Sequence, residues 1–140
     1  MTDDELLLAE IKRDEGVIPH AYQDSLGYWT IGVGRLIDKR KGGRLTPAEI
    51  DYLLSNDIDE KVADLDKVAP WWRQLSPARK RVMINMTFNM GIGWLTTFKN
   101  TVANIRTGNY ETAAKGMLAS KWAKQVGARA IRLADMMRKG

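Results

Sequence analysis

The spacing of apolar positions changes twice along the chain and divides it into three stretches. Leu7, Leu8 and Ile11 return every three or four positions, the period of one buried helix face. Thr2 or Asp3 can cap that helix, and Gly16 and Pro19 end it. From Ala21 to Leu36 the period shortens. Asp24-Ser25-Leu26-Gly27 is turn chemistry, and Tyr28-Trp29-Thr30-Ile31-Gly32-Val33 is rich in the aromatic and β-branched residues of strands. Gly27, Gly32 and Gly34 suit close turns, or a close approach by another backbone or a ligand.

Beyond Arg44 the helical period returns. Thr46 can cap a helix, Pro47 fits its first turn and Glu49 completes a capping box. Ile50, Leu53, Leu54, Ile58, Val62 and Leu65 then form one apolar stripe, with Asp51, Asp57, Asp59 and Glu60 left to water, until Pro70 stops the helix. Ser76-Pro77 opens another helix. Its Val82, Met83, Ile84, Met86, Phe88 and Met90 are apolar nearly all round, the pattern of a central buried helix, and Gly91 and Gly93 end it. Shorter helices are expected near 99–106, 110–120 and 128–138, separated by Gly108 and Gly127. The chain holds no internal repeat and no low-complexity linker.

Composition narrows the chemistry. At 140 residues, 44% hydrophobic, the chain is expected to fold as one domain that buries roughly two thirds of its unfolded surface. It has no cysteine, so disulfides, thiolate metal sites and a cysteine nucleophile are excluded. Its single histidine, His20, excludes zinc motifs of the two-histidine type, and nothing around it resembles a nucleophile elbow. Carboxylate chemistry is what remains.

The net charge is +5 and unevenly spread. Lys39-Arg40-Lys41-Gly42-Gly43-Arg44 forms one basic run, and residues 121–139 hold six basic side chains against Asp135 alone. Such surfaces favour polyanions (nucleic acid, anionic lipid or bacterial wall polymer), although for charge clusters alone a plain solvated face that keeps the protein soluble is the better account. Met1 to Glu10 are acidic with only a short leucine run, unlike a secretory signal, and no stretch reaches the roughly 20 apolar residues of a membrane span. The expectation is a product made in the cytoplasm, without membrane insertion.

Glu15 is the first candidate for chemistry. Steps of four from Leu7 through Ile11 bring it onto or beside the apolar face in the last helical turn, a setting suited to a general acid. The same spacing also describes a surface glutamate at a frayed helix end. Asp24 is nine positions later, where a hairpin can fold it back, and Asp-Ser is also ordinary turn chemistry. Thr30 faces the same side of its strand as Tyr28 and Gly32. Two carboxylates and a hydroxyl at a glycine-rich hairpin suit glycoside hydrolysis, in which one acid protonates the leaving oxygen and the other carboxylate handles water or the anomeric carbon.

A family resemblance adds to this reading. Arg13-Asp14-Glu15-Gly16 followed by Ala21-Tyr22-Gln23-Asp24-Ser25-Leu26-Gly27-Tyr28-Trp29-Thr30-Ile31-Gly32-Val33-Gly34 resembles the Glu-Gly … Tyr-x-Asp-x-x-Gly-x-x-Thr-Ile-Gly-x-Gly signature of the phage-type lysozymes, glycoside hydrolase family 24. Ile84-Asn85-Met86-Thr87-Phe88-Asn89-Met90-Gly91 resembles that family's central helix. Ser120-Lys121-Trp122, Gln125 and Arg129 resemble the C-terminal helices of its T-even members. The resemblance covers nearly the whole chain.

It implies a mainly helical α+β lysozyme-like fold, one domain over 1–140. A hairpin lobe would span about 16–45 and a helical lobe about 46–140, with helix 3–15 docked on the latter. It implies Glu15 as proton donor, Asp24 as second carboxylate and Thr30 as the hydroxyl that helps place water. Leu36, Phe88, Asn89 and Thr101 match positions lining the sugar cleft, and Arg129 matches an arginine that pairs with the acid. The implied function is that of an endolysin hydrolysing the β-1,4 bond between N-acetylmuramic acid and N-acetylglucosamine in peptidoglycan. It would act as a monomer without metal or organic cofactor and reach the wall through a membrane lesion such as a holin makes.

Three departures bear on substrate affinity. Arg35 stands where the T-even lysozymes carry a histidine, so that histidine's salt bridge is missing or replaced. The segment from Arg35 to Thr46 is much shorter than theirs, and Gly116 replaces a polar side chain. Three rival readings stay open: a lytic transglycosylase on the same bond, a basic nucleic-acid binder using 39–44 and 121–139, and a wall-binding protein without catalysis.

Overall fold

A computed structural model of the chain describes residues 2–140. By contact it divides into two compact units, 1–52 and 53–140, with the division falling inside a helix.

The first unit opens with α1 (Asp3–Glu15). Thr2 caps it reciprocally: its hydroxyl accepts from the Glu5 N–H at 3.2 Å, and its own N–H donates to Glu5 Oε2 at 2.7 Å. Gly16, at φ +81°, closes the other end and donates its N–H to Lys12 O. Three antiparallel strands follow in sheet order β1-β2-β3: Ile18–Gln23, Trp29–Gly32 and Arg35–Leu36. Pro19 lies inside β1 rather than before it, as an edge strand allows. Tyr22 pairs with Thr30 and Thr30 with Leu36, so Thr30 sits at the centre of the sheet and is buried. The apolar face expected of α1 is not covered by its own unit; Leu7, Leu8 and Ile11 are all exposed. Periodicity shows which side of a helix is apolar, but not what covers it.

Helix α2 (Pro47–Val68) begins with the expected capping box: Thr46 N–H donates to Glu49 Oε1 at 2.9 Å, and Glu49 N–H to Thr46 Oγ1 at 3.2 Å. Of its apolar stripe only Leu65 is buried, while Ile50, Leu53 and Leu54 are exposed. A 3-10 turn (Pro70–Gln74) then leads to α3 (Pro77–Met90), capped by Ser76 and closed by Gly91. The expectation of a helix buried all round is corrected. Val82, Met83, Met86 and Thr87 are buried, but Phe88 is 40% exposed and Ile84 only half-buried.

The rest of the second unit is α4 (Trp94–Thr97), α5 (Lys99–Arg106), α6 (Tyr110–Leu118), α7 (Lys121–Val126) and α8 (Ala128–Lys139). Helix α8 packs on α6, α3 and α7. The core is rich in methionine. Met83, Met86, Met117 and Met137 are fully buried, and their unbranched chains fill the irregular space between short helices. Trp94, Phe98 and Trp122 form an edge-to-face row, with ring centroids 5.9 and 6.1 Å apart. Inside it Thr87 is fully satisfied, donating to Met83 O at 2.8 Å and accepting from the Trp94 indole at 2.9 Å.

Candidate active site

The first unit brings Glu15, Asp24, Thr30 and Leu36 into one small fold, on a helix end and three short strands. Glu15 is the last residue of α1 and is exposed, so the partial burial expected of it is not provided by this unit. Its side chain instead lies against Gly34, in the turn between β2 and β3.

Asp24 occupies the turn between β1 and β2 and is locally fixed. Its Oδ1 accepts two backbone N–H groups, from Leu26 and from Tyr28, each at 2.9 Å. Its own N–H donates to Tyr28 O at 2.8 Å. Turn chemistry and candidate chemistry therefore coincide in one residue: the turn occupies one carboxylate oxygen and orients the other. The Thr30 hydroxyl donates to Tyr28 O at 3.2 Å, which commits its proton and leaves its oxygen lone pairs as acceptors. Leu36 is exposed on β3.

Arg35 answers the first departure. It pairs with Glu49 in the first turn of α2, so the side chain in the histidine's place makes a salt bridge of its own. The Thr46 backbone N–H first, and Arg35 next, hold the Glu49 carboxyl below its ordinary range.

The basic run is partly neutralised within its own loop. Arg40 and Arg44 flank Asp38 at 3.8 and 3.6 Å, and Lys41 lies over the Tyr28 ring at 5.9 Å. Asp38 Oδ2 is buried without a hydrogen bond, so these two cations are its only compensation among the described residues.

In the second unit the remaining candidates fall into two grooves. Phe88 lines one of about 380 Å³ with Leu54, Ile58, Ile84 and Arg129. Asn85 also lines it, and its Oδ1 accepts from Arg129 Nε and Nη2 at 3.0 and 2.7 Å. Asn85 was not singled out for a role by sequence; only the contact reveals that it fixes Arg129.

Thr101 lines the other groove, of about 650 Å³, with Lys99, Gly116, Ser120, Lys121 and Gln125. A side chain at Gly116 would place its Cβ 2.5 Å from Thr101 Oγ1, so the glycine and the buried threonine occupy that space together. Asn89 lines neither groove, and its Oδ1 accepts from the Trp122 indole at 2.7 Å.

Comparison with known proteins adds four findings. The sequence model of the family described as phage lysozyme matches residues 12–138. The chain is 30% identical to the pre-baseplate central spike protein Gp5 of Enterobacteria phage T4, over 94% of this chain but only 28% of that one's length. It is 27% identical to probable T4-type lysozyme 1 of Dictyostelium discoideum, over 93% of this chain and 92% of that one. It is also 29% identical to an endolysin of Acyrthosiphon pisum secondary endosymbiont phage 1, over 84% and 77%.

Proposed function

This chain belongs to the phage lysozyme family, and from that premise we propose that it is a muramidase in which Glu15 is the general acid and Asp24 and Thr30 place the attacking water. The bond cleaved is the β-1,4 linkage between N-acetylmuramic acid and N-acetylglucosamine in peptidoglycan. The observation that carries the proposal is the hydrogen-bonding state of Asp24 and Thr30. Asp24 Oδ1 is taken up by two backbone donors, and Thr30 has already given its proton to Tyr28 O. Asp24 Oδ2 and Thr30 Oγ1 can therefore act on a water as two acceptors, leaving its oxygen lone pair for the anomeric carbon.

In that reaction the bond from the anomeric carbon to the glycosidic oxygen breaks as the Glu15 proton moves to that oxygen. The water oxygen bonds to the anomeric carbon and loses its proton to Asp24. The product is inverted. Leu36, Phe88, Asn89 and Thr101 are the proposed sugar contacts, and Arg129 is the proposed partner of the acid, held for that purpose by Asn85.

Several ion pairs argue against the nucleic-acid reading. Arg40 and Arg44 face Asp38, and Arg138 and Lys139 share Asp135 at 2.6 and 3.0 Å, so four basic side chains of the two clusters are engaged in ion pairs. A DNA- or RNA-binding protein would instead show steeply salt-dependent binding.

The relatives' names differ in how such an activity is deployed: one is an endolysin and one a baseplate spike. We propose the endolysin arrangement, in which a monomer reaches the wall after a holin-type lesion; lysis that proceeds without such a lesion would contradict it.

The deciding experiment is a turbidity assay on outer-membrane-stripped Gram-negative cells, comparing wild type with Glu15→Gln. Lysis is expected to fall about 10²-fold or more in a variant that folds normally. Near-normal lysis would end the assignment. Mass spectrometry of the released muropeptides is expected to show reducing ends, whereas anhydro-muramic ends would establish the transglycosylase.

A further inference from the structure

The first unit contains three hairpin glycines with positive φ, and they are glycines for different reasons. Gly27 and Gly32 have φ of +85° and +70°, and a Cβ built on either meets nothing within 4 Å. Backbone conformation accounts for both. Gly34 has φ of +58°, in the same range that L side chains rarely adopt. There a Cβ would also lie on Glu15 Oε2, 2.9 Å from Glu15 Cδ and 3.2 Å from its Cβ. Space, rather than torsion, is what singles out Gly34.

Among the described residues of the first unit, nothing else fixes the Glu15 carboxyl. It ends a helix, is exposed, and among the described residues takes part in no side-chain hydrogen bond. A general acid must nonetheless be held within hydrogen-bond reach of the oxygen it protonates, and a displacement of about 1 Å can cost 10²-fold in rate.

We propose that Gly34 is a positioning residue for the general acid, its missing side chain forming the seat on which the Glu15 carboxyl rests against the turn between β2 and β3. The proposal rests on the reading of Glu15 as proton donor. Because Glu15 Oε2 and Cδ are the far end of a flexible, exposed side chain, adding a methyl at position 34 pushes the carboxyl outward. The fold is little disturbed, while the acid loses its place.

The test compares Gly34→Ala with Gly32→Ala. The second shares the positive φ but leaves the space around Glu15 untouched. Both are expected to lose a few degrees of melting temperature. On soluble wall fragments, Gly34→Ala is expected to lower kcat about 10²-fold with KM nearly unchanged, and to shift the alkaline limb of the kcat profile set by the acid. Gly32→Ala is expected to keep kcat and that limb.

Glu15→Asp, which shortens the side chain, lowers kcat in the wild-type background. In Gly34→Ala it is expected to add no further loss, since the shorter acid removes the Oε2 and Cδ contacts with the new methyl. If Gly34→Ala alone does not fold, the double variant Glu15→Asp/Gly34→Ala is expected to fold, and its failure to do so overturns the seat. Equal kcat losses in the two alanine variants, or a loss confined to KM with the alkaline limb unmoved, also overturn it. Glu15→Gln separates the two ideas. If that variant is inactive while Gly34→Ala stays active, only the seat fails; if it lyses normally, the general-acid reading fails with it.

Discussion

Trp122 donates its indole N–H to Asn89 Oδ1 at 2.7 Å, across 33 residues of sequence, and so decides which end of that exposed amide is free. The oxygen is occupied, which leaves the NH₂ group as a donor suited to a sugar acetamido carbonyl. Asn89→Asp keeps the acceptor for Trp122 and removes the donor. It is expected to melt near wild type while raising KM for wall fragments about tenfold, the effect of losing one hydrogen bond worth about 1 kcal/mol or slightly more. Asn89→Leu strands the indole N–H as well and is expected to cost about 1–3 kcal/mol of stability, read by denaturant unfolding.

Arg79 ties α3 to the end of α8. Its Nε donates to Met137 O at 2.7 Å and its Nη2 to Arg138 O at 3.0 Å, while the guanidinium lies 3.4 Å over the Tyr110 ring. A cation at unpaired helix-terminal carbonyls, stacked on an aromatic face, joins three helices at one point. Arg79→Met is expected to destabilise by about 2–3 kcal/mol, with a fall in melting temperature of roughly 6–12 °C. Arg79→Lys keeps the charge without the planar fork and is expected to recover only part of the loss.

Asp66 gives the second unit an acid-sensitive contact. Arg73 Nε and Nη2 both donate to it at 2.8 Å, and Trp72 Nε1 does so at 2.8 Å. The Arg73 hydrogen bonds first, and then that from Trp72, lower its pKa to about 2 from an ordinary 3.8. A carboxyl with a depressed folded-state pKa contributes stability above its unfolded pKa and loses it as pH falls through the folded one. The contribution is therefore expected to be intact at neutral pH and to disappear between pH 4 and pH 2. The melting-temperature gap between wild type and Asp66→Asn should close across that window. It should also narrow with added salt, since the pair is exposed.

In the proposed reaction, the stereochemical pathway turns on Asp24 and Thr30. If they hold water on the face opposite the leaving sugar, NMR of fresh product shows the inverted anomer from the wild type. Thr30→Glu displaces that water and puts a carboxylate in its place. It is expected to abolish turnover and to accumulate a covalent sugar adduct visible by mass spectrometry. Retention in the wild type would instead make Asp24 the nucleophile and remove Thr30 from the placement of water.

The sequence determined by itself what is settled within about four residues of chain. Thr46 and Glu49 start α2, Ser76 and Gly91 bound α3, and Asp24 closes its turn through its neighbours' N–H groups, because caps and turns are made from adjacent backbone. The resemblance carried by residues 13–34 and 84–91 likewise lies in the sequence alone, and the match over residues 12–138 upheld the family. Tertiary structure decided which apolar residues are covered and which polar ones meet. Of the regular stripe on α2 only Leu65 is buried. Arg35 finds Glu49, Arg129 finds Asn85, and Thr101 fills the space beside Gly116. Gly34 shows the difference in one residue. Its neighbours in sequence mark it as a turn glycine, but the carboxyl lying against it comes from another element, and a contact of that kind depends on how distant segments pack rather than on local chain chemistry.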